Sequence, residues 1–244
     1  MKKTKIISTI GPSCNNKTKI KNMILNGMNI ARINMSHQYD IKELKNVVDV
    51  IREQSEELDM SVAILFDICG PKIRVSFKHT IQKIVVKKDD IITLGHKGTD
   101  IPINISIKFG GIEKGASVKI DDGALSFKVE SVKKTFLTLR SESKGTILNG
   151  KGINFPGIDL DVSVITEKDI KDIETAIKLN IDWLAMSFVR SADDMIKVKN
   201  ILDNKNHYIP IIAKIEKPEA LENLNSIIKS FDGILVARGD LGVE

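Results

Sequence analysis

Hydrophobic and polar positions follow two different periods along this chain. Up to about residue 70, short continuous apolar runs alternate with stripes at helical spacing. Lys5–Ile10 predicts a strand closed by Gly11 and Pro12, and Lys17–Leu25 a helix with Ile20, Ile24 and Leu25 as its apolar positions. Met28–Ile33 predicts a second strand. A longer helix follows, with Ile41, Leu44, Val47, Val48 and Ile51 on one face, and Ser61–Phe66 predicts a third strand ending at Asp67. The same alternation resumes at Thr166. Thr166 and Asp169 read as a capping pair, and Ile170, Ile173 and Ile177 as a buried stripe. Strands are predicted at Ile181–Met186, Ile209–Ile215 and Ile234–Ala237. Helices are predicted at Asp193–Leu202, with Met195, Ile196 and Val198, and from Pro218 through Leu221, Leu224, Ile227 and Ile228.

Between these stretches the period falls to two. Short alternating runs at Ile73–Phe77, Ile81–Val86, Ile91–Leu94, Val118–Ile120, Ala124–Val129 and Phe136–Leu139 are separated by glycines and paired charges. The region closes in a glycine-rich return over Asn149–Gly157. This pattern predicts a small all-β module at residues 71–161, inserted into an α/β domain made of residues 1–70 and 162–244. Near-continuous apolar strands alternating with helices predict a parallel sheet covered by helices. No G-x-G-x-x-G follows the first strand, so a dinucleotide-binding fingerprint is missing.

Composition changes this picture little. The 244 residues are 42% hydrophobic and 28% charged, as in ordinary globular domains. The net charge of +5 comes from lysines interleaved with acids, and aromatics make up only 5%. That does not point to nucleic acid; phosphate-bearing small molecules account for it equally well. Cys14 and Cys69 fit no metal spacing, and two unpaired thiols fit a reducing cytoplasm. The first apolar run is too short for a signal peptide, and no apolar stretch would span a bilayer.

The candidate chemistry gathers just after strand ends: Arg32 to His37, Asp67 to Arg74, Ser187 to Arg190, Lys214, Glu216 and Asp240. Barrel enzymes and open α/β sheets both place ligands there. In I-I-A-K-I-E at Ile211–Glu216, strand alternation would point Lys214 and Glu216 to the same side, about 7 Å apart. Buried charge at a strand end is costly unless it is paired or binds something. Glu216 and Asp240 are hard oxygen donors suited to Mg²⁺, and Lys214 is a compact cation suited to a phosphoryl group in transfer. A structural Lys–Glu ion pair is the plain alternative. Arg74 could pair with an acid of the β module, Lys151 could be merely solvated, and Asn34 and Ser36 could be turn formers.

Taken together the motifs resemble pyruvate kinase. They are T-K-I-I-S-T-I-G-P at Thr4, A-R-I-N-M-S-H at Ala31, D-I-C-G-P-K-I-R at Asp67, K-G-I-N-F-P-G at Lys151, S-F-V-R at Ser187, I-A-K-I-E at Ile212 and A-R-G-D-L-G-V-E at Ala237. The resemblance implies a (β/α)8 TIM barrel interrupted after its third strand by a small β-barrel domain that closes over the cleft. It implies phosphoryl transfer from phosphoenolpyruvate to ADP, giving pyruvate and ATP in glycolysis, with Mg²⁺ or Mn²⁺. Lys214 then matches the lysine that stabilises the phosphoryl group. Glu216 and Asp240 match the divalent-metal ligands, Arg32 a substrate-phosphate arginine and Gly239 a backbone contact to the substrate carboxylate. Asn34, Ser36, Asp67 and the carbonyl of Ile68 match the monovalent-cation site. Arg74 and Lys151 match nucleotide-phosphate contacts, with Asn34 and His37 beside the nucleotide.

Two departures qualify this likeness. Many pyruvate kinases carry glutamate where this chain has Lys72, and those require K⁺. Members with lysine there are typically K⁺-independent, so an ammonium is expected to replace the ion. Ile68 and Cys69, where others have Thr and Lys, fit the same class. The chain also holds about six strand patterns where the resemblance implies eight. The expectation is a truncated barrel with exposed sheet edges, poorly soluble and with little activity alone, whose full-length form is a cytoplasmic homotetramer. A non-catalytic homologue that binds metal, phosphoenolpyruvate or a partner chain is the alternative. Another Mg²⁺-dependent barrel enzyme acting on pyruvate or its enolate would have no need of the inserted module.

Overall fold

The computed structural model describes residues 3–37, 39–78, 82–158, 160 and 162–243. Ile81, boundary residue 161 and the closing Glu244 of the last motif lie outside the described residues. In chain order the elements are β1 (Ile6–Ile10), α1 (Lys17–Leu25), β2 (Met28–Asn34), α2 (Ile41–Glu57) and β3 (Ala63–Ile68). The all-β stretch follows, with β4 (Lys83–Val86), β5 (Ile91–Gly95), β6 (Ile101–Pro102), β7 (Ser117–Ile120), β8 (Leu125–Val132), β9 (Phe136–Ser141), β10 (Gly145–Leu148) and β11 (Ile153–Asn154). Then come α3 (Glu167–Lys178), β12 (Trp183–Met186), α4 (Asp193–Asp203), β13 (Ile211–Ile215), α5 (Pro218–Glu222), α6 (Leu224–Ser230), β14 (Gly233–Val236) and α7 (Arg238–Leu241).

The chain divides into two compact units. One comprises Met1–Gly70, Val164–Ile215 and Glu219–Val236; the other comprises Pro71–Ser163, Glu216–Pro218 and Ala237–Glu244. The first is an α/β unit. Its six strands form one sheet in the order β1-β2-β3-β12-β13-β14, every neighbouring pair parallel. Because sequential strands are also spatial neighbours and all run the same way, their C-terminal ends lie along one rim. A single core backs this sheet, from Ile20 and Ile24 through Ile51, Ile64 and Phe66 to Ile173, Val198 and Ile227. The edge strands leave apolar side chains in solvent, Ile6 and Ile7 on β1 and Ile234 and Val236 on β14.

The second unit holds a six-stranded sheet, β11-β7-β8-β9-β5-β6, and the two-stranded β10-β4 ribbon around a separate core that includes Leu94, Phe109, Val118, Phe127 and Leu139. The run Ile73–Phe77, expected as a strand, makes only isolated bridges, Arg74 to Gly152 and Val75 to Ile103. Its apolar residues Ile73, Val75 and Phe77 are nevertheless buried, so alternation reported packing and not ladder formation.

The helices correct several expected core positions. Leu25, Ile41, Ile170, Ile196, Leu221 and Ile228 are all exposed. Most sit at a flank of the apolar stripe, where a helix packed on a sheet stays uncovered, but Ile196, two residues from the buried Val198, lies on the opposite face of α4. The helix expected from Pro218 is broken in two at Asn223, which lies between α5 and α6 and donates its side-chain amide to the Glu219 and Arg190 carbonyls.

The capping box at the start of α3 forms as expected. Thr166 accepts from the Asp169 backbone N–H at 3.1 Å, and the Asp169 carboxylate accepts from the Thr166 N–H at 2.8 Å and its hydroxyl at 2.6 Å. The other Asp169 oxygen accepts from the Gly70 N–H at 3.1 Å. Lys168 donates to the Met35 carbonyl and to Asp172. The first turn of α3 therefore ties down the segments that leave β2 and β3, the segments that carry the candidate chemistry.

Candidate functional site

In the α/β unit the candidate residues converge on one carboxylate. Strand register sets Asn34 beside Asp67 on β2 and β3, Asp67 beside Ala185, and Met186 beside both Ile68 and Ala213. Asp67 is 2% exposed and would be costly to ionise there unpaired. It is paired twice. Arg32 donates from Nε at 2.8 Å and from Nη2 at 2.6 Å to Oδ2, while its Nη1 donates to the Thr9 hydroxyl at 2.7 Å. The Lys214 ammonium lies 3.1 Å from Oδ1. One buried anion thus holds two cations at a strand-end rim.

Ser187, the first residue after β12, completes the cluster. Its hydroxyl donates to the Ile68 carbonyl at 2.8 Å, lies 3.4 Å from Asp67 Oδ1, and accepts from Lys214 at 2.9 Å. The next residue, Phe188, has φ 57°, in the left-handed region rarely used by a bulky side chain. Gly70 is pressed against this turn: a Cβ there would lie 3.1 Å from the Phe188 ring and 3.2 Å from the Ser187 carbonyl.

The monovalent-cation candidates are each engaged within the protein. Asp67 is clamped by Arg32 and Lys214, the Ile68 carbonyl accepts from Ser187, and the Asn34 side-chain oxygen accepts from the Ser36 backbone N–H at 3.0 Å. Asn34 thus forms the turn that strand-end sequence chemistry allowed.

Lys72, Arg74, Lys151, Glu216, Gly239 and Asp240 belong to the second unit. The Lys72 ammonium lies 3.1 Å from Asp240 Oδ1. Its stem runs over Gly152, where a Cβ would meet Lys72 Cε at 3.2 Å. Arg74 donates to the Gly150 carbonyl at 2.9 Å. Lys151 is paired with Asp121 at 2.8 Å, so it is not merely solvated. Asp240 and Gly239 sit in the short helix α7, not in an open loop. Glu216 is buried, one residue past the end of β13, so strand alternation does not govern where it points relative to Lys214. Among the described residues no group of three or more His, Cys, Asp or Glu is arranged to hold a metal ion. The chemistry of the donors fits a divalent ion supplied with further oxygens by water or substrate: both are carboxylates, and Asp240 already holds a cation in the form of the Lys72 ammonium.

A cleft of about 450 Å³ opens in the α/β unit beside the start of α2. Its lining includes Pro12, Asn15, His37, Tyr39, Glu43 and Asn46. His37 and Tyr39 meet edge to face, with ring centroids 6.3 Å apart, and burial pushes the Tyr39 phenol above its ordinary pKa. The sequence reading singled out His37 but neither Tyr39 nor the cleft. Two aromatic rings two residues apart, following a strand end, were the available signal. Ser187 was noted only as the start of the strand-end S-F-V-R motif, with no role of its own, because nothing in its neighbours along the chain discloses that it faces Lys214.

Comparison with known proteins accords with this arrangement. The family model described as "Pyruvate kinase, barrel domain" matches residues 1–244. Among curated relatives, each named pyruvate kinase, that of Thermococcus litoralis is 38% identical over 99% of this chain and 52% of its own length. The Clostridium perfringens protein is 38% identical over 100% of this chain and 52% of its length, and that of Staphylococcus aureus strain MRSA252 is 35% identical over 100% and 43%. The chain spans about half the length of the curated relatives it matches. Six parallel strands in chain order, an all-β insertion after the third, charge collected on the strand-end rim and a family match along the whole sequence lead to one assignment: this chain belongs to the pyruvate kinase family and carries six strands of its (β/α)8 barrel.

Proposed function

We propose that this chain takes part in phosphoryl transfer from phosphoenolpyruvate to ADP, and that Lys214 and Arg32 provide the positive charge at the transferring group. The observation that carries this reading is the buried Asp67 carboxylate clamped by both cations at the rim. Phosphoryl transfer asks little covalent chemistry of a protein; it asks for positioning and preorganised positive charge. Asp67 holds each cation in place before substrate arrives, so little reorganisation accompanies the reaction.

Glu216 and Asp240 would hold the divalent ion, Mg²⁺ or Mn²⁺. When bound, that ion neutralises charge on substrate oxygens. Gly239 offers its backbone to the substrate carboxylate. Arg74 and Lys151 contact nucleotide phosphates, which requires Lys151 to exchange Asp121 for phosphate. The cleft beside His37 and Tyr39 takes the nucleotide base, stacked on an aromatic surface. Asn34, Ser36, Asp67 and the Ile68 carbonyl form the monovalent-cation position, and the Lys72 ammonium stands in for K⁺, which requires it to exchange Asp240 for that role. Residues 1–70 and 162–244 act as the barrel domain and 71–161 as the inserted nucleotide-closing domain. The protein works in the cytoplasm, its full-length form as a homotetramer, without nucleic-acid or membrane partners; no helix among the described residues is long and apolar enough to cross a membrane.

The test is pyruvate formation from phosphoenolpyruvate and ADP in Na⁺ and in K⁺ buffers. Turnover that disappears in Lys214→Met supports the reading. Binding of phosphoenolpyruvate with Mn²⁺ but no pyruvate favours the non-catalytic alternative. A strict K⁺ requirement in the wild type would overturn the role given to Lys72, and Lys72→Glu is expected to create that requirement.

A further inference from the structure

We propose that Ser187 is a positioning residue for Lys214, holding the ammonium at the phosphoryl position from the far side of Asp67. The proposal rests on the role given above to Lys214. A serine hydroxyl has one proton and two lone pairs. Here the proton is committed to the Ile68 carbonyl at 2.8 Å, the shorter of its two acceptors. The oxygen therefore presents lone pairs to Lys214, which donates at 2.9 Å. With Asp67 Oδ1 at 3.1 Å, the Lys214 nitrogen is fixed from two directions by groups on two other strands' ends.

Ser187 is itself held rigidly. It is 4% exposed. The left-handed turn at Phe188 sets the direction in which the chain leaves it, and Gly70 packs directly on its carbonyl. Gly70 is in turn pinned by Asp169 at the cap of α3. Backbone strain at a buried bulky residue persists only where surrounding structure over-determines it. Here it accompanies a hydroxyl placed between a backbone carbonyl and a lysine ammonium.

Lys214 has a long, flexible stem with four rotatable bonds, so its ammonium needs more than one anchor to stay aimed. The Ser187 oxygen and Asp67 Oδ1 restrain it from two directions. Loss of the Ser187 oxygen should therefore spare substrate affinity, which Arg32 shares, and lower the rate of transfer.

The experiment uses the chain with wild-type Ser187, Ser187→Ala and Ser187→Thr. The first readout is the acylation rate of Lys214 by an amine reagent, followed peptide by peptide by mass spectrometry and normalised to Lys168, a lysine anchored elsewhere in the same unit. Ser187→Ala is expected to raise the Lys214 to Lys168 ratio severalfold, and Ser187→Thr, which keeps the hydroxyl, to restore it. An unchanged ratio in Ser187→Ala, or one that Ser187→Thr fails to restore, overturns the proposal. The second readout is turnover: kcat should fall about tenfold in Ser187→Ala, the loss expected for one hydrogen bond to a charged group, with KM for phosphoenolpyruvate nearly unchanged. A loss confined to KM overturns the positioning role. Labelling decides the geometry whether or not the chain turns over, so a wild type that labels as expected but makes no pyruvate counts against the reaction and not against Ser187.

Discussion

Replacing Asp169 by alanine should loosen the whole strand-end rim of the α/β unit. Asp169 is fully buried and accepts three hydrogen bonds, from the Thr166 N–H, the Thr166 hydroxyl and the Gly70 N–H. Loss of the cap interaction costs about 1 kcal/mol. The Gly70 N–H, left in a buried site without its acceptor, adds about 1–3 kcal/mol. The combined effect is about 2–4 kcal/mol, at the upper end for a single substitution and attributable to a broken buried network. Asp169→Asn keeps the shape and one carbonyl oxygen but sets an amide N–H₂ against the Thr166 donors, so it should cost roughly half as much. The assay is urea unfolding followed by fluorescence of Trp183, the one tryptophan, which lies on β12 of the α/β unit and so reports that unit alone. With a denaturant slope of about 2 kcal/mol per molar urea, the alanine variant's midpoint should fall by roughly 1–2 M. A midpoint within about 0.3 M of wild type would refute the claim that the α3 cap supports the rim.

Three further outcomes are expected. Gly70→Ala should destabilise the same unit by roughly 1–3 kcal/mol, because it places a Cβ at positive φ against Phe188 and the Ser187 carbonyl; a Trp183 unfolding midpoint equal to wild type would contradict this. Burial, partly offset by Lys168, raises the Asp172 carboxyl above the ordinary aspartate pKa of 3.8. Its contribution to stability is then full below that value and is lost as pH rises through the raised pKa, so the stability of wild type relative to Asp172→Asn should decline across that window, and a flat or rising difference would be the wrong sign. Lys151→Met should weaken ADP binding in calorimetry while leaving phosphoenolpyruvate affinity unchanged, since Lys151 and its partner Asp121 both belong to the all-β unit; equal losses for both ligands would point to misfolding instead.

Element type and order were legible in the chain because they depend on local periodicity. The strands at β2, β5 and β13, the helix at Lys17–Leu25 and the Thr166–Asp169 capping box all follow from neighbours within a few residues. The motifs likewise singled out Arg32, Asp67, Lys72, Lys214 and Asp240 as chemistry-bearing positions, since residue type alone restricts what each can do. Contacts across long separations were not legible. Asp67 meets Lys214, and Ser187 meets both Ile68 and Lys214, only because parallel strands bring their ends to one rim. The pairing of Lys72 with Asp240 spans 168 residues. Nor did periodicity reveal how much of each apolar stripe is covered, which is why Ile170 is exposed despite its helical spacing with Ile173 and Ile177. The amino-acid sequence determined which elements form and which functional groups they carry. The tertiary structure decided which of those groups meet, because strand register, a strained turn at Phe188 and the close approach of Gly70 are properties of packed neighbours distant along the chain.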